Sequence, residues 1–434
     1  MGALPTGNPS QTSGPAALQG DPTTIPTGSL PSPGPVQIPR AKNRVIRRGE
    51  TIKVGGLFPL TEGLSTLGKE AFRGAQAYFN HINDQGGVAR SRFVFDFCDD
   101  KADDTLSTTC AKKLVEQDRV FIMGPSFTPF SLSVVDYLRR EGVPWVGYDG
   151  INVEGFTAPN IVTAGAAIET MAHALLPYWY HKVERDTGSP PRRIGAVVLD
   201  SAPALTYLRE AKDVICPRLG CQVTREKRVT YSTTEFGTIC QSMQGSVDVI
   251  WIITDPASAA KLMVQCQSFK PPKGYLGQHG IYLGVTLDQS GRTAEGMLAN
   301  GAVLPDLVDS PATTEMRRIV HRYFPGASFG YFTVLSYVSA QMVVDLVRSL
   351  FDSGGELSRQ NIIATAGGMT SYACGGLCKD VNLRPPAAQS GGNHNVWIVR
   401  ADFSTGRGRW VYEAGPIDAF RSETWPCPGR ARPC

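Results

Sequence analysis

Long apolar runs, catalytic signatures and charge are all scarce in this chain. No stretch reaches the roughly 18 consecutive apolar residues that suggest a membrane span. Charged residues make up only 19% of the 434 positions, and the net charge is +4. The one basic cluster, Arg40, Lys42, Arg44, Arg47 and Arg48, has no aromatic residues between its charges. It reads as a solvated linker, and no nucleic-acid partner is expected. No G-x-S-x-G elbow and no H-E-x-x-H pair occurs, and the six histidines are scattered. An enzyme, a metal site and a cofactor therefore have no motif to stand on. Large apolar residues are nearly absent before Val36, where Pro, Gly, Ser and Thr dominate. Such a segment buries too little to offset chain entropy, so residues 1–45 are expected to be a disordered arm. Residues 420–434 read as an irregular tail. Also missing is a signal peptide, since Met1-Gly2 begins neither a charged nor an apolar region.

Cysteine, by contrast, is plentiful and even in number, at ten. Neighbours in sequence are Cys98 and Cys110, Cys216 and Cys221, Cys240 and Cys266, Cys374 and Cys378, and Cys427 and Cys434. Cys98 ends a strand and Cys110 lies on the next helix, within reach in a compact βα unit. Cys374-Gly-Gly-Leu-Cys378 could be half of a zinc site, but no second half is evident. Disulfides are the better reading and imply an oxidising compartment, although spacing alone leaves their connectivity open. An export signal is then expected to have preceded this sequence.

Residues 52–147 alternate strand-like and helix-like segments. A buried strand at 52–58 is followed by a helix at 68–84, with Ala71, Phe72, Ala75, Tyr78, Phe79 and Ile82 at three- and four-residue spacing. Strands at 93–97, 120–123 and 144–146 follow, separated by helices. The pattern repeats with strands at 194–199, 222–224, 247–253 and 281–285. Short apolar strands between amphipathic helices imply α/β architecture, two doubly wound parallel sheets with covered faces. Such sheets bind ligands beyond the carboxyl ends of their strands, which directs attention to the loops at 59–67, 99–104, 124–128 and 147–152.

Gly63-Leu-Ser-Thr-Leu-Gly68-Lys69-Glu70 nearly matches a phosphate-binding loop, but Glu70 stands where Ser or Thr would hold magnesium. It reads better as a glycine-rich loop at a ligand cleft. Asp99, Asp100, Asp103 and Asp104 fail the EF-hand spacing, and helix capping explains Asp103 or Asp104. Asp200-Ser201 and Asp255 sit at strand ends, where binding is the simpler role.

Phe58-Pro59-Leu60-Thr61-Glu62-Gly63, Asn83-Asp84-Gln85-Gly86-Gly87-Val88, Asp99-Asp100, Lys113-Leu114-Val115 and Gly124-Pro125 together resemble the type I periplasmic binding proteins. More narrowly, the chain is similar to the leucine/isoleucine/valine-binding branch, the solute receptors of ABC importers. That resemblance implies two lobes joined by a three-segment hinge, with residues 51–160 and 301–374 in the first and 161–300 and 386–419 in the second. It implies an extracytoplasmic protein, a monomer tethered by a lipid anchor, whose partners are a small-molecule ligand and a membrane permease. The same fold also serves as a ligand-sensing receptor module, and an α/β enzyme is the least supported reading. By resemblance, Thr128 with Ser126, Phe127 and nearby amides would hold a ligand carboxylate. Tyr148 and Asp149 depart from the family pattern, since an acid there opposes an anion. Asp200, Ser201, Asp255 and Asp288 are candidates for a ligand amino group, and Tyr331 for a pocket wall. The implied ligand is a small polar molecule, an amino acid or a related carboxylate or amine.

Overall fold

The computed structural model describes residues 37–425, apart from 41, 130, 150–152, 270 and 272. Two parallel sheets organise it. The first runs in the spatial order Phe93–Asp99, Ile52–Phe58, Ile122–Met123, Trp145–Val146, Ile161–Val162, with every pair parallel. The second begins with Gln222–Val229, Arg193–Leu199, Val249–Ile253, Tyr275–Gly277 and Leu298–Gly301, again parallel. Asn395–Asp402 then joins antiparallel to Leu298–Gly301 and pairs with Arg409–Asp418 in a hairpin at the sheet's edge. Sequence order reverses direction beside Ile52–Phe58 in one sheet and beside Arg193–Leu199 in the other. These are the switch points where neighbouring loops diverge and leave a crevice.

The central strands are apolar because both faces are covered. Val249 to Ile253 are all buried, as are Ile194 to Leu199. Helix Ser65–Asp84 buries Leu67, Ala71, Ala75, Tyr78, Phe79 and Ile82, which lie along one stripe. It packs against Tyr331–Asp352, which is long and apolar enough to cross a membrane but is largely buried as a core helix. The two approach so closely that a Cβ on Gly74 would lie 2.2 Å from the Thr333 carbonyl oxygen. Only glycine fits there.

Several boundaries differ from the sequence expectation. Residues 38–45 are not part of a free arm. Val45–Ile46 pairs antiparallel with Leu357–Ser358, and the Ile38 N–H donates to Gln360 Oε1 at 2.8 Å. Arg359 fastens this segment: its guanidinium donates to the carbonyls of Phe121 (2.8 Å), Val120 (3.1 Å) and Lys42 (3.2 Å). One apolar side chain, Ile38, and a short run of backbone pairing suffice to order a stretch whose composition reads as linker. Residues 1–36 lie outside the described residues. At the other end, Phe420 and Trp425 are buried, and Thr424 Oγ1 lies 2.8 Å from His173 Nδ1, so residues 420–425 are docked rather than loose. Strand Ile161–Val162 belongs to the first sheet, although 161 was expected to open the second lobe. The strand expected at 281–285 is instead Tyr275–Gly277, followed by a 3-10 turn and helix Gly284–Ser290. Four disulfides form: Cys98–Cys110, Cys216–Cys221, Cys240–Cys266 and Cys374–Cys378. Cys427 and Cys434 lie outside the described residues.

Candidate functional site

Between the lobes, at the carboxyl ends of both sets of strands, lies a cavity of about 90 Å³. A water needs roughly 10–15 Å³ of such space, so there is room for a small solute. The first lobe supplies Leu64 and Leu67 from the start of helix Ser65–Asp84, Phe127 and Pro129 from the loop after Ile122–Met123, and Phe332. The second supplies Leu199, Ser201 and Tyr207 after one switch-point strand, Thr254 and Asp255 after the other, and Gln278 and His279 after Tyr275–Gly277. Tyr231 closes the mouth: a Cβ on Gly63 of the facing lobe would sit 4.0 Å from its ring.

The walls are apolar and aromatic. Phe127 and Phe332 lie 4.2 Å apart by ring centroid, and His279 packs edge-on against Phe332 at 5.6 Å. Among the described residues, no Lys or Arg lines the cavity. Polar groups are few and specific. Asp255 caps helix Pro256–Gln265: its Oδ1 accepts from the N–H groups of Ala257 and Ser258, each at 3.0 Å. Its second oxygen, Oδ2, is buried and has no hydrogen-bond partner among the described residues. Burial first, and then the Asp255 charge, push the Tyr231 hydroxyl above its ordinary range. His279 is buried with Nδ1 2.9 Å from the Tyr207 hydroxyl, and that burial lowers its pKa to about 3, so the ring is neutral. Gln278 donates to the Thr254 carbonyl at 3.0 Å and accepts from the Gly280 N–H, which fixes the loop that carries His279.

Of the residues singled out in the sequence, Phe127, Ser201 and Asp255 line this cavity. The others do not. Ser126 is spent on backbone, accepting from the Leu57 N–H at 3.2 Å and donating to the Gly124 carbonyl at 3.1 Å. Thr128 is fully buried, its hydroxyl 3.2 Å from Ser107 Oγ and its N–H donating to Asp149 Oδ2 at 2.7 Å. The acidic departure thus holds the amide that the resemblance reserved for a ligand carboxylate. Tyr148 is a core residue, packed against Trp145 at 5.1 Å with its hydroxyl 3.3 Å from Ser131 Oγ. Tyr331 sits behind the wall, 5.1 Å from the His279 ring. Asp200 and Asp288 are more than half exposed, beside Arg228 and Arg407, each at 3.7 Å. Asp200 follows the strand Arg193–Leu199, whereas Asp288 stands on the helix Gly284–Ser290, and both side chains face solvent.

Leu64 and Leu67 lie in the glycine-rich segment that the sequence placed at a ligand cleft, whereas Tyr207, Tyr231, Gln278 and His279 were missed. A signal existed for Tyr207, which lies one turn into the helix after a switch-point strand. His279 was hidden by the misplaced strand at 281–285, which hid the strand end at Gly277.

Comparisons with known proteins agree with this architecture. A Leu/Ile/Val-binding protein of Rhizobium johnstonii, BraC3, is 28% identical over 114 residues, which is 26% of this chain and 29% of that protein. The chain thus matches under a third of that relative's length. A branched-chain amino acid ABC transporter protein from Thermus thermophilus, solved with bound valine, has a TM-score of 0.71 at 16% identity, covering 86% of this chain and 97% of that one. A solute-binding protein from R. palustris, solved with 4-hydroxybenzoate, has a TM-score of 0.69 at 16% identity, covering 85% and 98%. At that identity the likeness concerns the fold, the two-lobed type I form. The periplasmic binding protein family model matches residues 51–407, and the chain belongs to the periplasmic binding protein family.

Proposed function

We propose that this chain is the extracytoplasmic solute-binding protein of an ABC importer, tethered by a lipid anchor, that delivers a small molecule to a membrane permease. Family membership supports the general role, and the relatives named above carry amino acids or aromatic acids in theirs. The ligand proposed here has an apolar or aromatic body and one hydrogen-bond-donating group, an amine or hydroxyl. The observation that carries this is Asp255 Oδ2, a buried acceptor without a partner among the described residues, beside a mainly apolar cavity whose described lining has no Lys or Arg. An unpaired buried carboxylate oxygen is costly, and a donor on the ligand relieves it. A ligand carboxylate would find no cation in the lining and would face Asp255. Of the two ends of an amino acid, the site therefore favours the amine.

Thermal unfolding against matched pairs tests this, since a ligand that binds the native state raises its melting temperature by mass action. Phenethylamine and 3-phenylpropionate share a skeleton, as do isoamylamine and isovalerate. The amines should stabilise and the acids should not. Stabilisation by the acids alone would overturn the ligand class, and an inert response to a broad solute panel would overturn the binding role.

A further inference from the structure

Behind the cavity, where the lobes meet, a second buried carboxyl group lies outside the ligand site. Glu70 belongs to helix Ser65–Asp84 of the first lobe and is only 2% exposed. Its Oε1 accepts from the Ser328 hydroxyl at 2.8 Å, while Oε2 is buried without a partner among the described residues. Gly330 lies against that oxygen: a Cβ there would be 2.8 Å from Oε2, 2.8 Å from the Tyr282 carbonyl oxygen and 2.4 Å from Leu283 Cδ2. Tyr282 and Leu283 come from the second lobe, and Leu283 bridges antiparallel to Gly330 across the seam. Nearby, the Tyr282 hydroxyl donates to Asp306 Oδ1 at 2.6 Å, and Arg317 donates to the Asp306 carbonyl. The charged groups acting on Glu70 are thus Asp306, which opposes its ionisation, and Arg73 on its own helix, which favours it. Tyr282, the titratable group from the second lobe, is held neutral, its hydroxyl pushed far up by burial and then by Asp306.

We propose that Glu70 is a proton-binding site at the lobe seam, protonated when the lobes are closed and ionised when they part, so that closure takes up a proton. The idea rests on reading the cleft as a ligand site that closes, but it concerns the seam and not the ligand's contacts.

The geometry sets the direction. A closed seam surrounds the carboxyl with Leu283, Gly330 and the acidic Asp306, and this burial raises the Glu70 pKa to about 7. Parting Tyr282 and Leu283 from Gly330 admits water and returns the group toward the ordinary carboxylate range. Below that range both forms are protonated and closure is indifferent to pH. Between it and about 7, closure must take up a proton and weakens as pH rises, by at most about tenfold per pH unit. Above 7 both forms are ionised and the effect levels off. His279, also buried at the seam, has its pKa lowered, so it titrates in the opposite sense. The effect of Glu70 is therefore read as a difference between two proteins that share His279.

Solution scattering of the full chain without ligand, at pH 5 and pH 8, makes that comparison for the parent and Glu70→Gln. Expected is a parent radius of gyration that exceeds the variant's only slightly at pH 5 and clearly at pH 8. Ser328→Ala removes the hydrogen bond that favours the ionised form in the closed seam, so its expansion should continue to higher pH than the parent's before it levels off. Equal radii for parent and Glu70→Gln at both pH values would overturn the proposal, as would a Ser328→Ala profile identical to the parent's. Because no ligand is present, either result stands apart from success or failure of the thermal screen.

Discussion

The Thr128 N–H donates to the Asp149 carboxylate at 2.7 Å, so the chain's own side chain occupies a strand-end amide well placed to receive an anion. Removing that carboxylate leaves a buried donor unpaired. Asp149→Ala should cost about 1.5–3 kcal/mol of stability, the range for a hydrogen bond to a charged group. Urea unfolding with an unchanged slope would show it, and a midpoint equal to the parent's would refute the role assigned to this pair.

Asp255 lines the cavity with one oxygen capping a helix and the other buried without a hydrogen-bond partner among the described residues. Asp255→Asn keeps the capping oxygen and removes the charge. We expect stability to fall by under about 1 kcal/mol, because Asn caps as well as Asp. Affinity for an amine identified by the thermal screen should fall roughly ten- to a hundredfold, measured by calorimetry. Equal loss of affinity for a neutral, donor-free analogue would show that the residue acts only through folding.

Arg359 serves three carbonyl oxygens from within the protein, two on the strand approach at 120–121 and one at Lys42. Arg359→Met fills the space but leaves those acceptors without their donor. Limited proteolysis should then cut within residues 38–46 well before the sheets are attacked, whereas the parent resists cleavage there. Equal resistance would mean that Val45–Ile46 pairing alone secures the segment.

Cys240–Cys266 closes a loop of 26 residues and ties helix Gly237–Met243 to the end of Pro256–Gln265. By chain entropy its removal costs about 3.5 kcal/mol. A Cys240→Ala, Cys266→Ala double variant should melt well below the parent. Thiol titration of the unreduced, denatured parent should find none of the eight paired cysteines reactive.

What the sequence disclosed followed the strength of local periodicity. The strands Ile122–Met123, Arg193–Leu199 and Val249–Ile253 are apolar in patterns that packing enforces, so their carboxyl ends, and with them Phe127, Ser201 and Asp255, could be found in advance. Side-chain direction could not. Thr128 and Tyr148 occupy the expected loops, yet the hydroxyl of one turns to Ser107 and that of the other to Ser131, partners on other segments of the chain that no local pattern announces. Ile38 was illegible for a related reason: a single apolar residue among prolines carries no period, and its partner, Gln360, lies over 300 positions away.

The contact at Gly74 has a mechanical consequence. With no side chain between them, helices Ser65–Asp84 and Tyr331–Asp352 are keyed together near the middle of the first and the start of the second. Leu64 and Leu67 at one tip and Phe332 at the other therefore advance and withdraw as one jaw. The opposite wall is carried on segments after four strands, tied by such links as the Gln278–Thr254 hydrogen bond and not by a helix pair in backbone contact. Solute shape is gauged by a stiff anvil on one side and an adjustable face on the other, and changes in ligand preference should accumulate at Ser201, Tyr231 and His279 before they reach Leu67 or Phe332.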